Sequence, residues 1–277
     1  MGSIKGHSAR LDVVMVERGL AASRESASEL IRESQVLVNG SVALKAARQV
    51  RAGDRIEILS PPRYVSRGGF KLEGALTRFG IKIAGLRVLD VGSSTGGFTD
   101  CLLQQGARQI FAVDVGTNQL HEKIRQDPRV MSFEQTNIKN FTDPEGLGFD
   151  LVVADVSFTS VALLARHLVE LTKPDGELVI LVKPQFEVGH KDASRGKGII
   201  KDPLLWKSSL INVADQFARE DARILGIAVS PIRGTQGNVE FFFHLSRGGK
   251  GLAQSDIKEA IDGEIARALV GSRGESV

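Results

Sequence analysis

The sequence of 277 residues lacks several features that would define a function class at once. Cys101 is the only cysteine, which excludes an internal disulfide and suits a reducing compartment, so a cytoplasmic protein is expected. No apolar run approaches the roughly 20 residues of a membrane span, and the segment from Met1 to Ala9 lacks the hydrophobic stretch of a secretory signal. The five histidines have no metal-ligand spacing, so neither a metal nor a membrane partner is predicted.

Charge is present but unevenly distributed. The whole chain has a formal net charge of +3, and residues 1–63 hold ten basic and seven acidic side chains, an excess of the same size. A basic module joined to a nearly neutral body favours an anionic partner, with nucleic acid a better candidate than a membrane. The alternative at this point is an ordinary solvated surface.

The first sixty residues predict a small α+β module. Leu11, Val14 and Met15 follow a helical period, and Ser23 is placed to cap a second helix. A short apolar strand then leads to Asn39-Gly40, a strong signal for a tight turn. A second turn at residues 51–55 precedes the strand at residues 56–58, which completes a helix–helix–strand–turn–strand plan.

This plan resembles the S4 RNA-binding domain. The residues that carry the resemblance are Arg10-Leu11-Asp12, Gly19-Leu20, Ser23-Arg24, Leu30-Ile31, Val36-x-Val38-Asn39-Gly40, Lys45 and Gly53-Asp54. The resemblance implies a basic face that meets structured RNA through its phosphates. The candidate RNA-binding residues are Arg10, Arg24, Lys45, Arg48 and, beyond the module, Arg67. We predict an S4-like domain at residues 1–60, a proline-containing linker at 61–65 and a second domain at 66–277.

The second domain begins with a strand, a glycine-rich turn and a helix. The strand is predicted at Arg87–Val91, the turn at residues 92–98 and the helix at 99–105. In α/β folds such a turn brings backbone N–H groups close to a ligand. The next predicted strand, Gln109–Val113, ends at Asp114, where a carboxylate can accept both hydroxyls of a ribose.

The turn does not match the dinucleotide fingerprint, because Ser94 replaces the second glycine of G-x-G-x-x-G. The run Asp90-x-Gly92-x-Ser94-x-Gly96-Gly97 instead resembles motif I of class I methyltransferases, which implies S-adenosylmethionine as the cofactor. In this fold an Asn or Asp after the third strand recognises the adenine amino group. The candidate cofactor-binding residues are Gly92, Ser94, Thr95, Gly96, Gly97, Phe98, Asp114, Asn137, Asp155 and Phe158.

Four further strands predict a Rossmann-like α/β domain of seven strands with the last strand antiparallel. Asp155 follows one strand, Lys183 follows the next, and Glu240 opens the last one. The start of an antiparallel strand lies beside the ends of parallel ones, so all three are expected at one edge of the sheet. Lys71, on a helix before the first strand, can reach the same edge.

Two amines and two carboxylates at a ligand edge suit proton transfer from a ribose 2′-hydroxyl. A lysine accepts a proton only when it is neutral, which burial and a second nearby ammonium both favour and nearby carboxylates oppose. We predict that Lys183 is the base, that Lys71 and Glu240 position it and the hydroxyl, and that Asp155 orients Lys183. Two unrelated ion pairs are the alternative interpretation.

The whole chain resembles the TlyA family of ribosomal RNA 2′-O-methyltransferases, members of which also carry the name hemolysin. The residues that carry the resemblance are Ser66-Arg67-Gly68-Gly69-x-Lys71-Leu72, the glycine-rich turn, Asp155-Val156-Ser157-Phe158, Lys183-Pro184-Gln185-Phe186-Glu187 and Gly237-Asn238-Val239-Glu240. The resemblance implies methylation of cytidine 2′-hydroxyls in 16S or 23S rRNA on ribosomal subunits, by a monomer or weak dimer. A non-catalytic RNA-binding or ribosome assembly factor, a membrane-active hemolysin and a small-molecule methyltransferase remain alternatives.

Overall fold

The computed structural model describes residues 8–32, 35–59, 63–188, 198–234 and 237–271. The chain divides into two compact units, Met1–Ser66 and Arg67–Val277. Residues 60–62, which include both prolines of the predicted linker, lie outside the described ranges. The predicted division at residues 60 and 66 stays a prediction.

The first unit has two short helices and two small antiparallel sheets. Asn39 and Gly40 both have positive φ, as a type I′ turn requires, and join β2 to β3. The hydroxyl of Ser23 accepts a hydrogen bond from the Ser26 N–H at 3.1 Å, so it caps α2 as predicted. The elements are β1 (Ala9–Arg10), α1 (Leu11–Glu17), α2 (Arg24–Arg32), β2 (Val36–Val38), β3 (Ser41–Val42), β4 (Gln49–Val50) and β5 (Ile56–Ile58).

The second unit is a seven-stranded sheet with helices between its strands. Its strands are β6 (Arg87–Val91), β7 (Gln109–Val113), β8 (Val130–Phe133), β9 (Phe149–Ala154), β10 (Thr172–Val182), β11 (Ala222–Val229) and β12 (Phe241–Arg247). Its helices are α3 (Gly68–Phe79), α4 (Gly97–Gln104), α5 (Glu122–Arg125), α6 (Ala165–Leu171), α7 (Pro184–Glu187), α8 (Pro203–Arg219) and α9 (Gln254–Gly271), with 3₁₀ turns at Ile138–Asn140 and Val161–Leu164.

The strand order is β11-β12-β10-β9-β6-β7-β8. Strand β12 is antiparallel to both of its neighbours, while β10, β9, β6, β7 and β8 are mutually parallel. The predicted fold class is therefore confirmed, including the antiparallel last strand. The central strands β6 and β9 are buried and mostly apolar, as expected for a parallel sheet covered on both faces, and Arg87, Asp90 and Asp150 are their charged residues.

Two predicted starts of elements near the site were wrong by one or two residues. Helix α4 begins at Gly97 and not at Thr99, because Gly96 adopts a left-handed conformation (φ +93°) and the helix starts directly after it. Strand β12 begins at Phe241, so Glu240 precedes this strand and does not open it. Glu240 still lies at the edge of the sheet where β12 begins, and its carbonyl accepts a hydrogen bond from the Ser230 N–H at 2.8 Å.

Arg87 holds together the edge of the sheet at which β6 begins. Its fully buried guanidinium lies between the rings of Phe111 and Phe149, 4.2 and 4.4 Å from their centroids. The same group donates two hydrogen bonds to Asp143, at 2.6 and 3.0 Å, and one to the carbonyl of Gly148 at 2.9 Å. A planar, forked cation fits this arrangement and a lysine ammonium does not.

We expect Arg87→Lys to lower the free energy of unfolding by about 2 kcal/mol, because the buried Asp143 carboxylate loses its bidentate partner. The matched control is Arg166→Lys, since Arg166 forms an exposed ion pair with Glu170 and should be nearly neutral. Urea unfolding of both variants measures the difference. Equal effects would show that the bidentate contact does not matter.

Candidate active site

The register of the sheet places three of the four predicted catalytic residues at one edge. Ala154 ends β9, and Asp155 follows it. Val182 pairs with Phe241 across β10 and β12, so Lys183 and Glu240 each lie one residue beyond the same pair. This is the edge at which the parallel strands end, where ligands bind in open α/β sheets.

Lys71 and Glu240 form a buried ion pair. Lys71 lies in the first turn of α3, and its Nζ donates to Glu240 Oε2 at 2.6 Å. The two residues are only 8% and 2% exposed, so solvent screens the pair weakly. Gly234 packs directly against the carboxylate, since a Cβ at this position would collide with it. The pair is thus enclosed by the backbone of the loop that precedes Glu240.

Lys183 and Asp155 form a second ion pair, with Nζ 2.5 Å from Oδ1. The same ammonium donates a hydrogen bond to Ser157 Oγ at 2.8 Å. Lys183 is 8% exposed, while Ser157 faces solvent. The structure therefore joins the four predicted residues as two pairs, and it adds Ser157, which we did not predict as a site residue. The run Asp155-Val156-Ser157 held the only signal, a hydroxyl two residues after the carboxylate.

A cavity of about 520 Å³ opens beside the second pair. This volume is large enough for a ligand of the size of a nucleoside. Six of the ten predicted cofactor-binding residues line it: Gly92, Ser94, Asp114, Asn137, Asp155 and Phe158. Ser157 and Gln119, which were not predicted, line it as well.

The remaining four predicted residues, Thr95, Gly96, Gly97 and Phe98, are not in the lining of this cavity. Phe98 is 3% exposed and stacks on Phe242 with ring centroids 6.2 Å apart, so its side chain serves the core. Gly96 has a positive φ, and a Cβ there would meet Leu120 at 2.9 Å. The residue types at Gly96 and Phe98 are therefore explained by their packing against Leu120 and Phe242.

Gly92 is required for the close approach of two strand ends. Its φ is +81°, and a Cβ would overlap the carbonyl oxygen of Asp155. A side chain at this position would strain the backbone and push Asp155 away from Lys183. This glycine therefore connects the shape of the turn to the geometry of the second ion pair.

Backbone N–H groups hold Asp114 at the cavity. Its two carboxylate oxygens accept hydrogen bonds from Ser94 N at 2.8 Å and Gly116 N at 2.7 Å. Each oxygen keeps a further lone pair for a ligand hydroxyl. Asn137 Oδ1 accepts from Lys139 N at 3.0 Å and so caps a 3₁₀ turn, which leaves its amide group as a donor.

Asp90 is fully buried beneath the turn. Its Oδ2 accepts a hydrogen bond from Thr99 Oγ1 at 2.6 Å, while Oδ1 has no hydrogen-bond partner among the described residues. Burial raises the pKa of Asp90 to about 7; the Thr99 hydrogen bond opposes this rise, and the charges of Asp155 and Asp114 add to it. A large part of the Asp90 population is therefore protonated near neutral pH.

The raised pKa of Asp90 predicts a pH-dependent stability. Its contribution is fully present below the unfolded-state pKa near 4 and is lost as the pH rises through about 7. Asp90→Asn removes the ionisation. We expect the free energy of unfolding of this variant, relative to that of the unchanged protein, to increase by roughly 3–4 kcal/mol from pH 4 to pH 8. Urea unfolding of both proteins at pH 5 and pH 8 tests this. An equal difference at both pH values would contradict it.

Two of the four predicted RNA-binding residues of the first unit contact Asp12. Arg10 and Arg24 both donate to its carboxylate, at 2.9 and 3.0 Å, and their own side chains remain 44% and 61% exposed. The hydrogen bond from Arg10 is the main reason that the pKa of Asp12 falls to about 2. The backbone carbonyl of Arg48 accepts from Leu11 N at 2.8 Å, which brings the segment that holds Lys45 and Arg48 alongside.

Arg67, the fifth predicted RNA-binding residue, lies in the second unit. It precedes α3, and its Nη2 donates to the carbonyl oxygen of Arg233 at 2.6 Å. This contact ties the start of the helix that bears Lys71 to the loop that leads to Glu240. The visible role of Arg67 is therefore to support the first ion pair.

Comparison with known proteins agrees with this architecture. Residues 64–247 match the model of the FtsJ-like methyltransferases, and residues 9–56 match the S4 domain. The chain is 42% identical, over 93% of its length and 97% of the relative, to the 16S/23S rRNA (cytidine-2′-O)-methyltransferase TlyA of Mycobacterium tuberculosis. The chain belongs to the TlyA family.

Other relatives of the TlyA family carry different names. Hemolysin A of Brachyspira hyodysenteriae is 39% identical over 85% of this chain and 98% of the relative. A solved structure from Streptococcus thermophilus, described as a hemolysin, superimposes with a TM-score of 0.75 at 35% identity, covering 97% of this chain and 99% of that one. Over the ranges that the structure describes, no helix combines the length and the apolar character needed to cross a bilayer.

Proposed function

We propose that this protein methylates the 2′-hydroxyl of cytidine ribose in ribosomal RNA, with S-adenosylmethionine as the methyl donor. The single observation that supports the proposal best is the pair of lysine–carboxylate contacts at the ligand edge of a methyltransferase sheet. One of them, Lys183–Asp155, borders the cavity. The name of the M. tuberculosis relative supports the choice of cytidine and of rRNA.

The residues around the cavity fit S-adenosylmethionine. Asp114 offers fixed carboxylate oxygens to the ribose hydroxyls, and Asn137 keeps its amide near the place where an adenine would lie. Gly92 and Ser94 bring backbone close to the ligand without a bulky side chain. When bound, the cofactor supplies a methyl group on a sulfonium, an electrophile with a good leaving group.

In the proposed mechanism Lys183, in its neutral form, would accept the proton of the 2′-hydroxyl. The bound cofactor would supply the methyl group, and its S–CH3 bond would break to leave the thioether. Asp155, which lines the cavity, holds the Nζ of Lys183 2.5 Å from its own carboxylate. The buried pair of Lys71 and Glu240 fixes the neighbouring strand end and orients the hydroxyl. The protein thus aligns the attack and accepts one proton, which together account for most of the catalysis such a reaction requires.

The first unit supplies affinity for the RNA backbone. Arg10 and Arg24 keep exposed guanidinium edges although both are anchored to Asp12, so they are pre-ordered for phosphate oxygens. Lys45 and Arg48 extend the same basic surface. Since ribosomal subunits are the proposed substrate, the proposed place of action is the cytoplasm.

Transfer of tritium from labelled S-adenosylmethionine tests the proposal. We expect label in 16S rRNA, 23S rRNA or both when intact 30S and 50S subunits are offered, and a new reverse-transcriptase stop at a cytidine when deoxynucleotides are limiting. Label in neither subunit nor naked rRNA would contradict the proposal. Binding of rRNA without transfer would then favour the assembly-factor alternative.

A further inference from the structure

Ser157 shares the ammonium group of Lys183 with Asp155. Lys183 Nζ lies 2.8 Å from Ser157 Oγ and 2.5 Å from Asp155 Oδ1. Ser157 is exposed and lines the cavity, whereas Lys183 is 8% exposed. Its hydroxyl is thus a second oxygen that holds the lysine nitrogen from the cavity side.

A hydrogen bond limits the directions in which a lysine nitrogen can react. A neutral amine has two N–H bonds and one lone pair around its bond to Cε. When one hydrogen is directed to the hydroxyl of Ser157, rotation about the Cε–Nζ bond is restricted, and the lone pair has only two tetrahedral positions left. The contact with Asp155 Oδ1 attracts the nitrogen by charge, although this oxygen is not an aligned hydrogen-bond acceptor.

The loop that carries both oxygens is itself anchored. Glu187, four residues after Lys183, accepts hydrogen bonds from Ser160 Oγ at 2.5 Å and Val161 N at 2.7 Å. Glu187 is largely buried, and this raises its pKa above the ordinary value for a glutamate. The segment from Asp155 to Ser160 therefore contacts residues 183–187 at both of the segment's ends, through Lys183 at one end and Glu187 at the other.

We propose that Ser157 is a positioning residue for the transfer reaction: its hydrogen bond orients the nitrogen of Lys183, which the charge of Asp155 attracts, so that the lone pair can face the ribose hydroxyl. This inference rests on the proposed function, since it assumes that Lys183 is the base. It assigns to Ser157 no contact with the reacting atoms. It follows that the hydroxyl group matters and that the rest of the serine side chain does not.

The test compares Ser157→Ala with Ser157→Thr, which keeps the hydroxyl. Single-turnover methyl transfer is measured from pH 6 to pH 10 with saturating cofactor. We expect Ser157→Ala to reduce the maximal rate about tenfold or more, the effect of losing one hydrogen bond to a charged group. The rising limb of its rate profile should move to lower pH, because an acceptor that stabilised the ammonium form is gone. Ser157→Thr should recover most of the rate and the position of the limb.

Two controls separate positioning from other roles. Ser160→Ala loosens the same loop through Glu187 and should leave the rising limb in place. Cofactor affinity of Ser157→Ala, measured by calorimetry, should stay within about threefold. A full rate in Ser157→Ala, an unmoved limb, or a loss confined to cofactor affinity would each overturn the inference.

A second readout does not depend on RNA. Acetic anhydride labels neutral amines, so the extent of Lys183 acetylation against pH, followed by peptide mass spectrometry, reports its titration. We expect the midpoint to fall in Ser157→Ala and to be unchanged in Ser160→Ala. If the unchanged protein methylates no rRNA but this shift is seen, the proposed function fails while the Ser157–Lys183 coupling stands. The same midpoint in both proteins would overturn the coupling whatever the RNA result.

Discussion

Lys183→Ala should reduce methyl transfer to rRNA by about three orders of magnitude, the scale of a lost general base. Cofactor affinity should stay within a few-fold, because Lys183 itself is not among the residues that line the cavity. Rates under single-turnover conditions and calorimetric binding of the cofactor measure the two effects separately. A variant that transfers methyl groups at the normal rate would show that another group accepts the proton.

Lys183→Arg distinguishes a base from a fixed positive charge. Arginine keeps the cation beside Asp155 but does not release its proton in proteins, so this variant should be as inactive as the alanine variant. Lys207→Ala is the matched control, since Lys207 forms an exposed ion pair with Asp262 and lies on α8. That variant should retain full activity. An active Lys183→Arg protein would assign the lysine a purely electrostatic role.

Glu240→Ala should have the largest effect on stability, lowering the free energy of unfolding by about 3–5 kcal/mol. The change leaves the Lys71 ammonium buried without its partner, 2.6 Å from where the carboxylate was. Methyl transfer should also be lost, because Lys71 is no longer held at the ligand edge. Urea unfolding and tritium transfer give the two results on the same preparation.

A double variant separates the two consequences. Lys71→Met combined with Glu240→Leu replaces the ion pair by apolar groups, which often restores the stability of a buried site. We expect most of the lost stability to return and the activity to stay absent. Recovery of activity together with stability would mean that the pair is structural only, and the mechanism would then lose two of its four residues.

Much of the second unit could be predicted because its signals are local. The strands β6 and β7 have the predicted bounds, since short apolar runs between turn residues define them. The position of Glu240 beside Lys183 also followed from topology, because an antiparallel strand starts where parallel strands end. The catalytic roles stay predictions, although the structure brings the side chains together.

The contacts that were missed depend on side-chain geometry across long stretches of chain. Ser157 and Lys183 are 26 residues apart, and the only signal of their contact was the position of a hydroxyl two residues after Asp155. Asp12 was named only as part of the S4 pattern, and the folded first unit shows that it anchors two arginines. Phe98 illustrates the opposite case: a residue within a functional motif whose side chain belongs to the core.

The pairing of Val182 with Phe241 limits how the chain between β11 and β12 can vary in length. Neighbouring positions on a strand point to opposite faces of the sheet, so a slip of one residue would exchange them. Val239 or Phe241 would then occupy the place of the carboxylate, and Lys71 would meet a hydrocarbon. Insertions and deletions before β12 are therefore tolerated only if the hairpin bulges outward and the ladder between β10 and β12 keeps its alignment.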